Sequence, residues 1–227
     1  MPTQKSFESD LISTTAGDLE IIFLGHGSLL LNFDKKNIYI DPYSQVADYS
    51  KLPKANLVLI THEHGDHLDI QALASVREEQ TTVVLTKTCS QQVTGGIVMK
   101  NGDTQTIGGI HIEAVPAYNI IHKRSNGEPF HPQGIGNGYV MTFGDKRVYI
   151  AGDTEIIPDM DKLNDIHCAF LPMNLPYTMT PEMVADAAKA FRPHILYPYH
   201  YGSTETSQLE ELLKDEKAIE VRIRQMA

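Results

Sequence analysis

Cysteine is scarce in this chain of 227 residues: Cys89 and Cys168 are the only two. Two are too few for a disulfide scaffold. Both adjoin strand-like runs, so both are expected as reduced core residues. Long apolar runs are missing too. No window of about 18 apolar residues occurs, which excludes a membrane-spanning helix and leaves no membrane partner to expect. Met1 to Asp10 is polar and lacks the apolar core of a signal peptide, so the expected location is cytoplasmic. Positive charge is in short supply: Lys plus Arg count 19 against 29 Asp plus Glu, a formal net charge of −10. That balance argues against a nucleic-acid partner held by broad electrostatic attraction.

What remains is ordinary globular composition, with 41% apolar and 21% charged residues. Strand-like runs cover Glu20–Leu24, Ser28–Phe33, Asn37–Ile40, Leu57–Ile60, Thr82–Leu85, Ile110–Val115, Gly138–Phe143, Arg147–Ala151, Ala169–Pro172 and Ile195–Tyr199. Short polar loops at Asp34–Lys36 and Gly144–Lys146 read as hairpin turns. Helical patterns are fewer: Asp69 to Glu79, Thr180 to Phe191 and Thr206 to Lys217. The second opens with Thr180 as cap and Pro181 at the first position, and Pro193 stops it. No repeat, linker or low-complexity stretch divides the chain. The expectation is one mixed α/β domain over residues 1–227.

The most informative segment follows the apolar run Leu57–Ile60. It reads Thr61-His62-Glu63-His64-Gly65-Asp66-His67. Side chains two apart on an extended stretch point to one side, so His62 and His64 can reach a common ion. Gly65 permits a sharp turn, after which Asp66 and His67 can address a second ion. Imidazole and carboxylate together suit zinc, with manganese or iron as alternatives. Four such ligands in six residues are hard to explain as a merely solvated loop.

This H-x-H-x-D-H run resembles the signature of the metallo-β-lactamase superfamily, and further landmarks keep the family's order. Gly25-His26-Gly27-Ser28 with Ile40-Asp41-Pro42 is similar to the opening of its first sheet. Tyr149-Ile150-Ala151-Gly152-Asp153-Thr154 is similar to the segment carrying a metal-bridging Asp, and Pro198-Tyr199-His200-Tyr201-Gly202 to the strand end with the last His. The resemblance implies an α/β fold, a four-layer αββα sandwich with the metal site at one edge between the sheets. It implies two divalent ions, zinc above all: His62 and His64 on the first, Asp66, His67 and His200 on the second, and Asp153 between them. The implied catalytic residues are Asp66 and His67. The implied chemistry is hydrolysis by a metal-bound hydroxide, on a small-molecule substrate.

One ligand departs from the family pattern. A third His for the first ion is expected after the strand Ile110–Val115, and Asn119 stands there instead. His131, His122 and Asn119 itself stay open as candidates. His131 is favoured because Gly134, Gly136 and Gly138 let its loop fold back. Asn119 then becomes a residue that hydrogen-bonds a ligand or orients substrate. Asp41 is expected to steady the metal loop, His26 to line the site floor and Tyr177 to face substrate. Among subgroups the chain looks most like the L-ascorbate-6-phosphate lactonase-like hydrolases, which implies an ester, lactone or phosphodiester substrate. Two other readings stay open: a one-iron oxygenase acting on a thiol or persulfide, and a metal-binding domain without catalysis.

Overall fold

The computed structural model describes residues 7–227, and its strands form two seven-stranded sheets. The first contains β1 (Glu8–Thr14), β2 (Gly17–Gly25), β3 (Ser28–Phe33), β4 (Lys36–Ile40), β5 (Leu57–Leu59), β6 (Thr82–Leu85) and β7 (Ile97–Val98), side by side in that order. The second contains β8 (Thr104–Ile107), β9 (Ile110–Ala117), β10 (Gly136–Phe143), β11 (Lys146–Ile150), β12 (Ile166–Pro172), β13 (Ile195–Tyr199) and β14 (Glu220–Val221), again in sequence order. In each sheet the first four strands are antiparallel and the rest add in parallel. The sheets therefore repeat one plan although the sequence carries no repeat.

Local chemistry fixes the connections. Asp34 and Lys35, with φ of 47° and 59°, form a two-residue turn whose left-handed backbone matches the twist of β3 and β4. Gly144, φ 58°, does the same between β10 and β11. Both faces of the central strands are covered, so they read as continuous apolar runs rather than alternations. Alternate residues then part company. Leu29, Leu31, Ile38 and Ile40 pack inward against Tyr139, Met141, Phe170 and Tyr197 of the facing sheet. Leu30, Tyr39 and Val58 face outward, under Leu73 and Val76 of α1 (Ile70–Val76). On the other face Val140, Ala169 and Leu196 lie under α2 (Pro181–Phe191) and α3 (Ser207–Leu213). The result is the expected αββα sandwich, with Cys89 and Cys168 both free and buried in it.

Several expectations need adjustment. β1 is an edge strand with an exposed polar face, so its sequence lacks an apolar pattern. It is held through Asp10, which accepts from Tyr197 Oη at 2.6 Å and Arg224 Nη2 at 2.8 Å. β7 and β14 have two residues each, too few to show a period. β9 runs past Pro116, which is tolerated because β8 has ended and no partner needs its missing N–H there. α1 and α3 are shorter than their patterns: α1 stops at Arg77, where the backbone turns extended, and α3 at Leu213. α2 is bounded as expected, with Thr180 Oγ1 accepting from Met183 N and Arg192 in a left-handed conformation ahead of Pro193. No helix among the described residues is long and apolar enough to cross a membrane.

Because β4 and β5 run parallel, as do β11, β12 and β13, the segments leaving their carboxyl ends gather at one edge of the sandwich. Asp41, His62 to His67, Asp153 and His200 all lie on those segments.

Candidate metal centre

The segment after β5 winds into a tight turn in which His64 O accepts from both His67 N (2.9 Å) and Leu68 N (2.7 Å), before Asp69 caps α1. This turn throws His62, His64 and His67 toward a common centre. Two clusters of ligand atoms result, each lying within 4.8 Å of one another. In the first, His64 Nδ1 lies 3.1 Å from His62 Nε2 and 3.3 Å from His131 Nε2. In the second, Asp66 Oδ2 lies 3.4 Å from His200 Nε2, 3.8 Å from His67 Nε2 and 2.9 Å from His26 Nε2. Asp153 stands between them, with Oδ1 3.4 Å from His67 Nε2 and Oδ2 3.3 Å from His131 Nε2. Two glycines make room: a Cβ on Gly27 would come within 3.0 Å of His67 Cε1, and Gly152, φ +66°, would place one 2.9 Å from Asn137 O.

The donor set fits metal ions. His67 Nε2, His200 Nε2 and Asp153 Oδ1 are buried and have no hydrogen-bond partner. Leaving such groups unpaired costs about 1–3 kcal/mol each, and a cation in each cluster would meet all of them. Outer partners already aim the lone pairs. Asp41 Oδ2 takes His67 Nδ1–H at 2.8 Å and Thr61 Oγ1–H at 2.6 Å, while Oδ1 takes Thr61 N–H at 2.8 Å. Thr61 Oγ1 also lies 3.0 Å from His62 Nδ1. Asn119 Oδ1 takes His131 Nδ1–H at 2.6 Å, so Nε2 keeps its lone pair for the cluster.

Charge is arranged accordingly. Burial alone would raise the Asp153 carboxyl, but the His200 and His67 imidazoles hold it well below the usual carboxylate range. Burial pushes His62 well below its ordinary value. Burial would also lower His67, yet the Asp153 and Asp41 carboxylates raise it to about 9. This upward shift stabilises the metal-free fold fully below the unfolded value of about 6.5, and the gain is lost as pH rises through about 9. Chelator-treated protein should therefore melt at falling temperature between pH 6.5 and 9, a dependence that metal-loaded protein, with His67 kept neutral, should lack. A melting temperature flat or rising over that window in the metal-free protein would contradict the assignment.

The structure brings together His62, His64, Asp66, His67, His131, Asp153 and His200, with His26 beside them. Of the three open candidates, His131 enters the first cluster. His122 lies outside it, with Nδ1 2.6 Å from Glu155 Oε1. Asn119 instead orients His131 and donates to Tyr177 O at 2.9 Å. Tyr177 is half-exposed on the wall of a cavity of about 430 Å³ that opens over Asp66, Asp153 and His200. Sequence reasoning missed Glu155 and Asn174. Glu155 is fully buried, yet its carboxylate accepts from Ile120 N, Ile121 N, His122 N and Asn119 Nδ2, pinning the loop that carries His131. The Asn174 amide lies 3.3 Å from His200 Nδ1. The one signal for Glu155 was its place two residues after Asp153.

A two-sheet sandwich with clustered imidazoles and carboxylates between the sheets at one edge defines a class of metal-dependent proteins. Residues 20–200 match the model of the beta-lactamase superfamily domain. A UPF0173 metal-dependent hydrolase of Desulforamulus reducens is 31% identical over 198 residues, covering 82% of this chain and 85% of that one. A crystal structure from Parabacteroides distasonis, described as a metal-dependent hydrolase, superposes with a TM-score of 0.94 at 49% identity, covering 98% of this chain and all of that one. Igni18, a metallo hydrolase of Ignicoccus hospitalis, shares the fold with a TM-score of 0.75 at 23% identity, over 92% and 96% of the two chains. The chain belongs to the beta-lactamase superfamily, as one of its metal-dependent hydrolases.

Proposed function

We propose that the protein holds two divalent ions and hydrolyses a small ester, lactone or phosphodiester. The observation that carries this reading is the convergence of buried, unpartnered His67 Nε2, His200 Nε2 and Asp153 Oδ1 beneath an open cavity. His62, His64 and His131 would hold the first ion, Asp66, His67 and His200 the second, and Asp153 would bridge them. Three imidazoles and a carboxylate suit zinc best in the first position. Bound there, such ions supply Lewis acidity and lower the pKa of a coordinated water from about 15.7 to near 7.

The chain's own residues prepare the site for that chemistry. Asp41, Thr61 and Asn119 hold the imidazoles of His67, His62 and His131 with a nitrogen lone pair aimed inward. The Asn174 amide nitrogen lies 3.3 Å from His200 Nδ1 and positions that ring. Burial would raise the Asp66 carboxyl, but the adjoining His200 and His26 imidazoles hold it well below the usual carboxylate range, so it is ionised. Asp66 also lines the cavity, where it can take a proton from the attacking water and return it to the leaving group. His26 fixes the orientation of that carboxylate. The lactone option rests on the resemblance carried by Gly25-His26-Gly27-Ser28 and the Tyr177 segment.

The reading is tested by a hydrolysis screen with lactone, phosphodiester and ester substrates on protein of known metal content. It requires turnover by loaded protein and its loss on chelation. Equal rates with and without metal would refute it. Within the same reading, His131→Ala should weaken the first metal position by about 10–100-fold, while His122→Ala leaves it unchanged. Metal titration of the two variants decides between them, and parental affinity in His131→Ala would remove His131 from the ligand set.

A further inference from the structure

The loop between β9 and β10 does more than deliver His131. It closes on itself through a small hairpin, with Arg124 N donating to Glu128 O at 2.7 Å and Gly127 N to Arg124 O at 2.9 Å. That hairpin sets the Arg124 side chain back over the site. Its Nη2 donates to Phe130 O at 3.2 Å, and its guanidinium carbon lies 5.1 Å from the centre of the Phe130 ring. Phe130 in turn meets Tyr177 edge-on, with ring centres 5.1 Å apart. Arg124, Phe130 and Tyr177 thus form one contiguous stretch of the wall of the 430 Å³ cavity, which Asp66 and Asp153 also line.

Arg124 is the only Lys or Arg lining the cavity, and its guanidinium meets no carboxylate among the described residues. Arg147, Arg222 and Arg224 are each paired with carboxylates, while Arg77 and Arg192, unpaired like Arg124, do not line the cavity. The cavity's own carboxylates, Asp66 and Asp153, are turned to the imidazoles. In a protein of net charge −10, a guanidinium held over a substrate cavity by an aromatic ring and left without a counter-charge is placed for an anion that arrives with the substrate.

We propose that Arg124 determines specificity, selecting substrates that carry a carboxylate or phosphate across the cavity from the bond cleaved, on a flat or apolar body that lies against Phe130 and Tyr177. The proposal rests on the hydrolase reading above and adds to it the substrate's charge and its orientation. The guanidinium takes the remote anion through its remaining N–H donors, and the aromatic wall covers the body between. The scissile group then points at Asp66 and the metal positions.

Matched probes test this. With zinc-loaded protein, 4-carboxyphenyl acetate should be hydrolysed with higher kcat/KM than phenyl acetate. Arg124→Gln should reduce kcat/KM for the charged ester by about 10–100-fold, the range for one charge-assisted hydrogen-bonded contact. Its effect on phenyl acetate should be several-fold smaller, and Arg124→Lys should restore part of the loss. An equal effect on both esters, or on neither, overturns the proposal. Calorimetric binding of 4-hydroxybenzoate and phenol to the same proteins separates this result from failure of the hydrolase reading. If neither ester is cleaved, the lactone and phosphodiester screen decides the hydrolase reading, while preference for 4-hydroxybenzoate that vanishes in Arg124→Gln still supports the anion site. Binding that ignores Arg124 ends the proposal whatever the esters do.

Discussion

Asp153→Asn is expected to abolish turnover while leaving the fold in place, with kcat lowered by roughly 10³-fold, about 4 kcal/mol of transition-state stabilisation. The amide has the shape of the carboxylate, and Gly152 with its left-handed backbone still presents it between the clusters. What is lost is the negative charge. Asp153 is buried, with one oxygen 3.4 Å from His67 Nε2 and the other 3.3 Å from His131 Nε2. A neutral amide would offer a single acceptor oxygen to the two cations proposed there and would bring its N–H₂ donors against one of them. The circular dichroism spectrum should match the parent, and metal content should fall. A variant that retains full metal and parental activity would show that Asp153 does not bridge the site.

The second large effect is on stability. Glu155→Ala should destabilise the protein by about 3 kcal/mol, because several N–H groups lose their acceptor at about 1–3 kcal/mol for each that stays buried. Burial by itself would raise this carboxyl, yet the Ile121, His122 and Ile120 amides hold it below the usual range, so it is ionised in the fold. Truncation strips a partner from each of those N–H groups and from Asn119 Nδ2. The consequence reaches the site, because Asn119 sets the tautomer of His131. Affinity at the first metal position should drop by about 10–100-fold together with the stability. Glu155→Gln, which keeps one acceptor oxygen, should lie between. Urea denaturation read beside metal titration checks both parts, and a Glu155→Ala variant within about 1 kcal/mol of the parent would contradict the anchoring role.

These two residues mark how far the sequence could be read. His62, His64, Asp66 and His67 are visible because one short run carries them. Asp153 and His200 are visible because each ends an apolar strand in the right order along the chain. α2 is legible from Thr180 and Pro181, which act locally. Glu155 is not legible, because its partners lie 33 to 36 residues earlier and meet it only when the β9–β10 loop crosses the site. The same holds for Asn119, whose residue type looked like a lost ligand until the fold placed its oxygen on His131 Nδ1. β1 escaped notice for a different reason. An edge strand needs no apolar period, and its anchor, Asp10, is held by Tyr197, Arg222 and Arg224 at the far end of the chain.

The central claim is that two ions share Asp153 at the edge of the sandwich. Anomalous diffraction from crystals of zinc-loaded protein tests it most directly. The account predicts two peaks about 3.5–4 Å apart, one among His62, His64 and His131, the other among Asp66, His67 and His200, with Asp153 reaching both. A single peak, or ions bound elsewhere while these side chains turn apart, would contradict it.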